Sequence, residues 1–203
     1  MPPGRQKRRL CMRRPAWRKT ACAPCLNSIF WENRAEKAPQ MEKWEEDDPM
    51  RILVEDGFED CCKLAADMIL ETIRNKPNAH VGLATGSSAQ GVYPYLVQAY
   101  AAGKADFSKV SSINLDEYVG LGPEHPQSYR RFMDENLFNH INIRKGNTYV
   151  AKGTGDIDAN LAEFHNMLTK RYRDIQLLGI GVNGHIAFNE PGPFLCGGPH
   201  LVH

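Results

Sequence analysis

The sequence predicts an α/β fold in which a parallel sheet carries helices on both faces. Three observations point that way. Apolar runs of strand length alternate with longer stretches of helical periodicity. The polar and glycine-rich motifs fall directly after the apolar runs, where an open α/β sheet binds its ligands. The last run, IQLLGIG at 175–181, is almost continuously apolar, as a strand covered on both faces should be.

The elements follow in order from Met50. RILVE at 51–55 reads as a short buried strand. The stretch 58–76 reads as a helix, with Phe58, Cys61, Ala65, Met68 and Ile69 on one face, and Lys76-Pro77-Asn78 stops it. HVGLAT at 80–85 is the next strand. Gly86-Ser87-Ser88 then opens a helical segment that runs to about Ala102, where Pro94 should kink the helix or delay its start. KVSSINL at 109–115 is a third strand, ending at Asp116, and a loop with Gly120, Gly122, Pro123 and Pro126 follows. The stretch 128–141 is amphipathic, with Tyr129, Phe132, Met133 and Leu137 sharing a face. NTYVA at 147–151 is a short strand. Residues 156–174 form a helix capped by Asp156 or Asp158, with Leu161, Phe164 and Leu168 inward.

Length and charge narrow the classes. A chain of 203 residues is enough for one domain with a sizeable core. A formal net charge of +1 offers no whole-chain attraction to nucleic acid or a membrane surface, and no apolar run is long enough to span a bilayer. Six cysteines without a secretory signal, two of them adjacent at Cys61 and Cys62, indicate a reducing, cytoplasmic setting rather than a disulfide framework. Cys22 and Cys25 spell CxxC, but no second pair completes a zinc site, so no metal is expected. Residues 1–49 differ from the rest. The first 20 hold eight Lys or Arg and no acid, and EEDD follows at 45–48. Composition there predicts a disordered basic and acidic extension, or an upstream translation ahead of Met50, with 50–203 as the folded part.

Three loops then converge on one sheet edge. Thr85, Gly86, Ser87 and Ser88 follow the second strand and suit an anion or sugar oxygens; the same pattern also serves as an ordinary helix cap. It matches neither a Walker loop nor GxGxxG, so no nucleotide cofactor is indicated. Asp116 ends a buried strand, a good place for a general base, because the sheet fixes its direction and desolvation favours proton uptake. Glu117 reads alone as a cap or a solvated acid. After the last strand come Asn183, Gly184, His185 and Glu190. Histidine moves protons near neutral pH, and a nearby carboxylate selects its tautomer. A lone histidine would read as structural. One sharing an edge with Asp116 and a Gly-Ser loop reads as catalytic.

LATGSS, INLDEYVGLGPEHPQSY and LLGIGVNGHIAFNEPG together resemble the signature segments of the glucosamine-6-phosphate deaminase family, over about Met50 to Gly192. The resemblance implies a Rossmann-like three-layer fold shared with 6-phosphogluconolactonases. It implies isomerising deamination of glucosamine 6-phosphate to fructose 6-phosphate and ammonia, in amino-sugar catabolism, without a cofactor. By the same resemblance Asp116 is the base at C2, His185 opens the sugar ring and Glu190 orients it. Asn183 stands where many members have Asp. Thr85, Gly86, Ser87, Ser88 and Gly184 hold the substrate, with Glu117 behind them. A homo-oligomer, a hexamer in many relatives, is the implied assembly. Members of the family continue past FNEPG with strands, phosphate-holding basic residues and a lid, whereas GPFLCGGPHLVH follows here and reads as neither strand nor helix. The fold is therefore expected to be incomplete at its C-terminus. A lactonase-like hydrolase and a non-catalytic sugar-phosphate-binding fragment are the alternatives.

Overall fold

The computed structural model describes residues 51–187, 189–192 and 198–202, together with the backbone of 9–11 and 29–32. The remainder of 1–49, including the CxxC stretch, lies outside the described residues.

The strands are β1 Arg9–Cys11, β2 Ile29–Glu32, β3 His80–Leu83, β4 Ser111–Asn114, β5 Glu117–Tyr118, β6 Thr148–Tyr149, β7 Ile175–Leu178 and β8 His200–Val202. The α-helices are α1 Phe58–Asn75, α2 Ser87–Gln90, α3 Tyr93–Ala101, α4 Tyr129–Met133 and α5 Ile157–Lys170. A five-stranded sheet runs β2-β7-β3-β4-β6. Its four inner-to-edge strands β7, β3, β4 and β6 are parallel, and β2 is antiparallel to β7. A smaller sheet, β5-β1-β8, is antiparallel throughout. The predicted α/β architecture is present, with a mostly parallel sheet.

Register separates the two faces. Val81, Ser112 and Thr148 lie in one row across β3, β4 and β6, and Gly82, Ile113 and Tyr149 lie in the next, so the two rows face opposite layers. On the first face, Ile69 and Ile73 of α1, Leu96 of α3 and Leu137 meet Val81 and Leu83 around a void of only about 10 Å³. On the second, α5 lays Phe164 flat on Tyr149, with ring centroids 5.7 Å apart. Asp156 caps α5, accepting from the amides of Asp158 and Ala159. Pro94 sits in the first turn of α3 and splits the expected single helix into α2 and α3. Met133 ends α4, and the chain continues as a π-helical turn over Asp134–Phe138.

Four expectations need correcting. RILVE at 51–55 is not a strand and is exposed, with Val54 at 85%. Its short apolar run is suitable, but a strand needs a neighbour to pair with, and the chain leaves this segment off both sheets. Cys62 rather than Cys61 enters the core, and Phe58 stays largely exposed; the inward stripe of α1 is Cys62, Ala65, Ala66, Ile69, Leu70 and Ile73. The tail contains a strand, β8. Finally, β7 is buried only on alternate residues, at Ile175 and Leu177. No helix among the described residues is long and apolar enough to cross a membrane.

Candidate active site

A cleft of about 200 Å³ opens at the carboxyl ends of β3, β4 and β7. Thr85, Gly86, Ser87, Ser88, Asp116 and His185 line it, with Gly179, Ile180, Gly181 and Ala187. Three segments that span about 100 residues of sequence, from Thr85 to His185, meet there, as the strand order requires.

The first wall is the turn from β3 into α2. Gly86 has φ +103°, a conformation that side chains with a Cβ rarely adopt. That turn presents the short helix of Ser87 and Ser88 to the cleft, and the first amides of any helix lack partners within it. Tyr93 supports the turn from behind. Its ring is fully buried, packs edge-on against Phe132, and its hydroxyl donates to the Ala84 carbonyl. Burial pushes this phenol well above its ordinary value, so it acts as a neutral donor.

The second wall is Asp116. Its side chain is 2% exposed yet borders the cleft. The residue lies between β4 and β5 and belongs to neither. Glu117, next to it, is equally buried but turns elsewhere. Its Oε1 accepts from the amides of Tyr118 (2.8 Å) and Tyr129 (3.0 Å). Its Oε2 accepts from Ser128 Oγ (2.8 Å) and the Arg130 amide (3.1 Å). Hydrogen bonds to a charged group contribute roughly 1.5–3 kcal/mol each, so this set outweighs an ordinary surface ion pair. The structure thus brings Asp116 into the cleft and turns the Glu117 carboxylate, in β5, onto the start of α4.

The third wall is the loop after β7. His185 Nδ1 donates to Asn183 Oδ1 at 2.6 Å, and Asn183 Nδ2 donates to Glu190 Oε2 at 2.6 Å. The carboxylate accepts only, which orients the amide and leaves Oδ1 to accept from the ring. In the neutral imidazole this puts the proton on Nδ1 and the lone pair on Nε2. Glu190 therefore reaches the ring through Asn183. Gly184 holds the turn, donating its amide to the Gly181 carbonyl at φ +85°. Ala187 also has positive φ, +51°, which costs a residue with a Cβ about 1–2 kcal/mol. The loop closes on itself through Ile186, which bridges Ile180 and Asn189.

Two contributors were absent from the sequence reading. Gly181 lies under the imidazole, where a Cβ would stand 2.2 Å from His185 Cε1. Tyr93 holds the β3 turn from within the core. The GIG spacing before Asn183 was a visible signal for Gly181; nothing local marks Tyr93, because its partner is nine residues away.

Fold and site together place an aspartate, a histidine and a Gly-Ser turn around one cleft at the carboxyl edge of a parallel sheet. The pattern of glucosamine-6-phosphate isomerases/6-phosphogluconolactonase matches residues 55–188, and the chain belongs to this family. It is similar to the glucosamine-6-phosphate deaminase of Clostridium tetani, at 49% identity over 155 residues, covering 75% of this chain and 64% of the relative. It is also similar to glucosamine-6-phosphate deaminase 2 of Bacillus subtilis, at 47% over 145 residues, covering 70% and 58%. Among solved structures, a monomeric glucosamine-6-phosphate deaminase superposes with a TM-score of 0.68 at 36% identity, covering 70% of this chain and 60% of that one. A 6-phosphogluconolactonase from Thermotoga maritima shares the fold, with a TM-score of 0.55 at 23% identity. The chain spans about 64% of the length of the first of these relatives.

Proposed function

We propose that this chain carries the acid–base half of an isomerising deaminase acting on glucosamine 6-phosphate in amino-sugar catabolism. The observation that supports it best is the meeting of Asp116 with a tautomer-fixed His185 in one cleft. In this reading His185 Nε2 takes the proton of the anomeric hydroxyl and passes one to the ring oxygen, opening the pyranose. Asp116 takes the proton from C2 and the electron pair moves into the C1–C2 bond, while O1 gains a proton. Return of a proton to C1 leaves an imine at C2. Water adds there and ammonia leaves, giving fructose 6-phosphate. Thr85, Gly86, Ser87 and Ser88 supply hydroxyls and amides to the sugar phosphate, and no cofactor takes part.

The finer points belong to the same proposal. The net reaction consumes water and releases ammonia around an aldose–ketose isomerisation, so it is hydrolytic as well as isomerising. A cytoplasmic setting rests on the cysteine pattern and a homo-oligomer on the family resemblance; the solved relative is described as monomeric, and sedimentation of the chain tests the assembly. A binding-only reading draws on a different observation, the exposure of Asn183, Gly184 and Glu190 behind the ring. Purified chain incubated with glucosamine 6-phosphate decides between them. Ammonia and fructose 6-phosphate in equal amounts support the deaminase. A raised melting temperature without either product supports binding alone.

A further inference from the structure

Glu117 is a buried carboxylate for which the proposed reaction has no step, and its surroundings suggest another task. We infer that Glu117 is a positioning residue that holds the Asp116 backbone in register with the cleft; this rests on the reading of Asp116 as the base.

Asp116 belongs to no strand. On its amino side β4 is anchored in the sheet centre, but on its carboxyl side only β5, two residues long, follows. Adjacent residues of an extended chain point to opposite sides, so a group that fixes Glu117 also fixes where Asp116 points. Glu117 is fixed by four donors. One is the next amide in the chain, Tyr118. The other three come from Ser128, Tyr129 and Arg130, across a ten-residue loop. Ser128 Oγ uses both its roles here, donating to Glu117 and accepting from the Arg130 amide. The loop itself is tied down at its other end, where the Gly120 amide donates to the Gly153 carbonyl at 2.7 Å. The start of α4 and the peptide after the base are therefore one unit, joined by this carboxylate and by the contact of the Tyr118 and Tyr129 rings, with centroids 5.0 Å apart. An acid placed only to stabilise α4 would serve as well on the loop; this one is the immediate neighbour of the residue that lines the cleft.

The test uses the full 203-residue chain with Glu117→Gln, which turns one acceptor oxygen into a donor facing donors, and Ser128→Ala, which removes one donor with little volume change. Steady-state constants for glucosamine 6-phosphate and amide exchange at Asp116, Tyr118, Tyr129 and Arg130 are read on the same samples. Exchange should speed up at all four amides in both variants. The kcat should fall roughly 30-fold in Glu117→Gln and less in Ser128→Ala, with KM within about twofold, as misplacement of a catalytic group by a fraction of an ångström would produce. Unchanged kcat with faster exchange would overturn the inference, since the clamp would then be structural only. A rise in KM with kcat preserved would also overturn it, by making Glu117 a substrate contact. An inert wild-type chain would instead contradict the deaminase reading. That outcome would remove the positioning role with it, whereas unchanged exchange at the Asp116 amide beside an active wild-type chain would reject the positioning role alone.

Discussion

The two ends of the central sheet are built from similar residues to opposite purposes. At the amino end, Asp174 before β7 accepts from Lys76 Nζ at 2.6 Å and from the His80 amide at 2.7 Å. Ser111 at the start of β4 meets His80 Nδ1 and Arg171, each at 2.9 Å, and Arg171 also donates to the Asn78 carbonyl. Every one of these links joins residues at least 31 apart in sequence, so they tie β3, β4 and β7 together. The carboxyl end spends its backbone differently. It has positive φ at Gly86, Gly184 and Ala187, and its polar side chains border a cleft instead of closing it. Paired polar groups at one end tie the strands together, and positive-φ turns at the other leave Asp116, His185, Ser87 and Ser88 bordering a cleft. Substitutions at the two ends should therefore separate stability from activity.

The largest effect is expected at Asp116. Asp116→Asn removes the proposed base without changing shape, and turnover should fall on the order of 10³-fold with the melting temperature nearly unchanged. Loss of activity accompanied by unfolding would mean that the carboxylate holds the sheet edge together. Next is Gly181→Ala. The added Cβ must push the imidazole away, and a shift of about 1 Å costs roughly 10²-fold in rate. A crystal structure of the variant should show the ring displaced from Asn183.

Smaller effects belong to the amino end and should appear in stability alone. Asp174→Asn keeps an acceptor for the His80 amide but loses the charge facing Lys76, a loss of about 1–2 kcal/mol in urea unfolding, with unchanged rate per folded molecule. His80 supplies a pH dependence. Burial, with Arg171 and then Arg173 nearby, lowers its pKa to about 4, whereas an unfolded histidine titrates near 6.5. The unfolded chain thus binds this proton first, and stability falls as pH drops from about 6.5 towards 4. The loss between pH 7 and 5.5 should be about 1 kcal/mol, and His80→Gln should flatten that slope.

Much of this contrast is legible in the sequence, but unevenly. The strands β3, β4 and β7 announce themselves as apolar runs, and Pro94 breaks its helix where a proline must. The residues that line the cleft follow because a parallel sheet gathers its post-strand loops on one edge. Long-range partners are what the sequence conceals. RILVE at 51–55 has a suitable apolar run and no strand beside it. Cys61 and Cys62 are one helical step apart, and only packing decides which faces inward. Glu117 looks like a companion of Asp116, but its partners are Ser128, Tyr129 and Arg130, so it turns away from the cleft. The link from Glu190 through Asn183 to His185 was readable as a set of residues, though not as an ordered chain.

The central claim is that Asp116 removes the proton at C2 of an amino-sugar phosphate. Glucosamine 6-phosphate deuterated at C2, followed by NMR with the wild-type chain and Asp116→Asn, tests it most directly. The account predicts that deuterium leaves C2 as ammonia appears with the wild-type chain, and stays in place with the variant. Deuterium retained at C2 of substrate exposed to active wild-type chain, or lost equally fast with the variant, would contradict it.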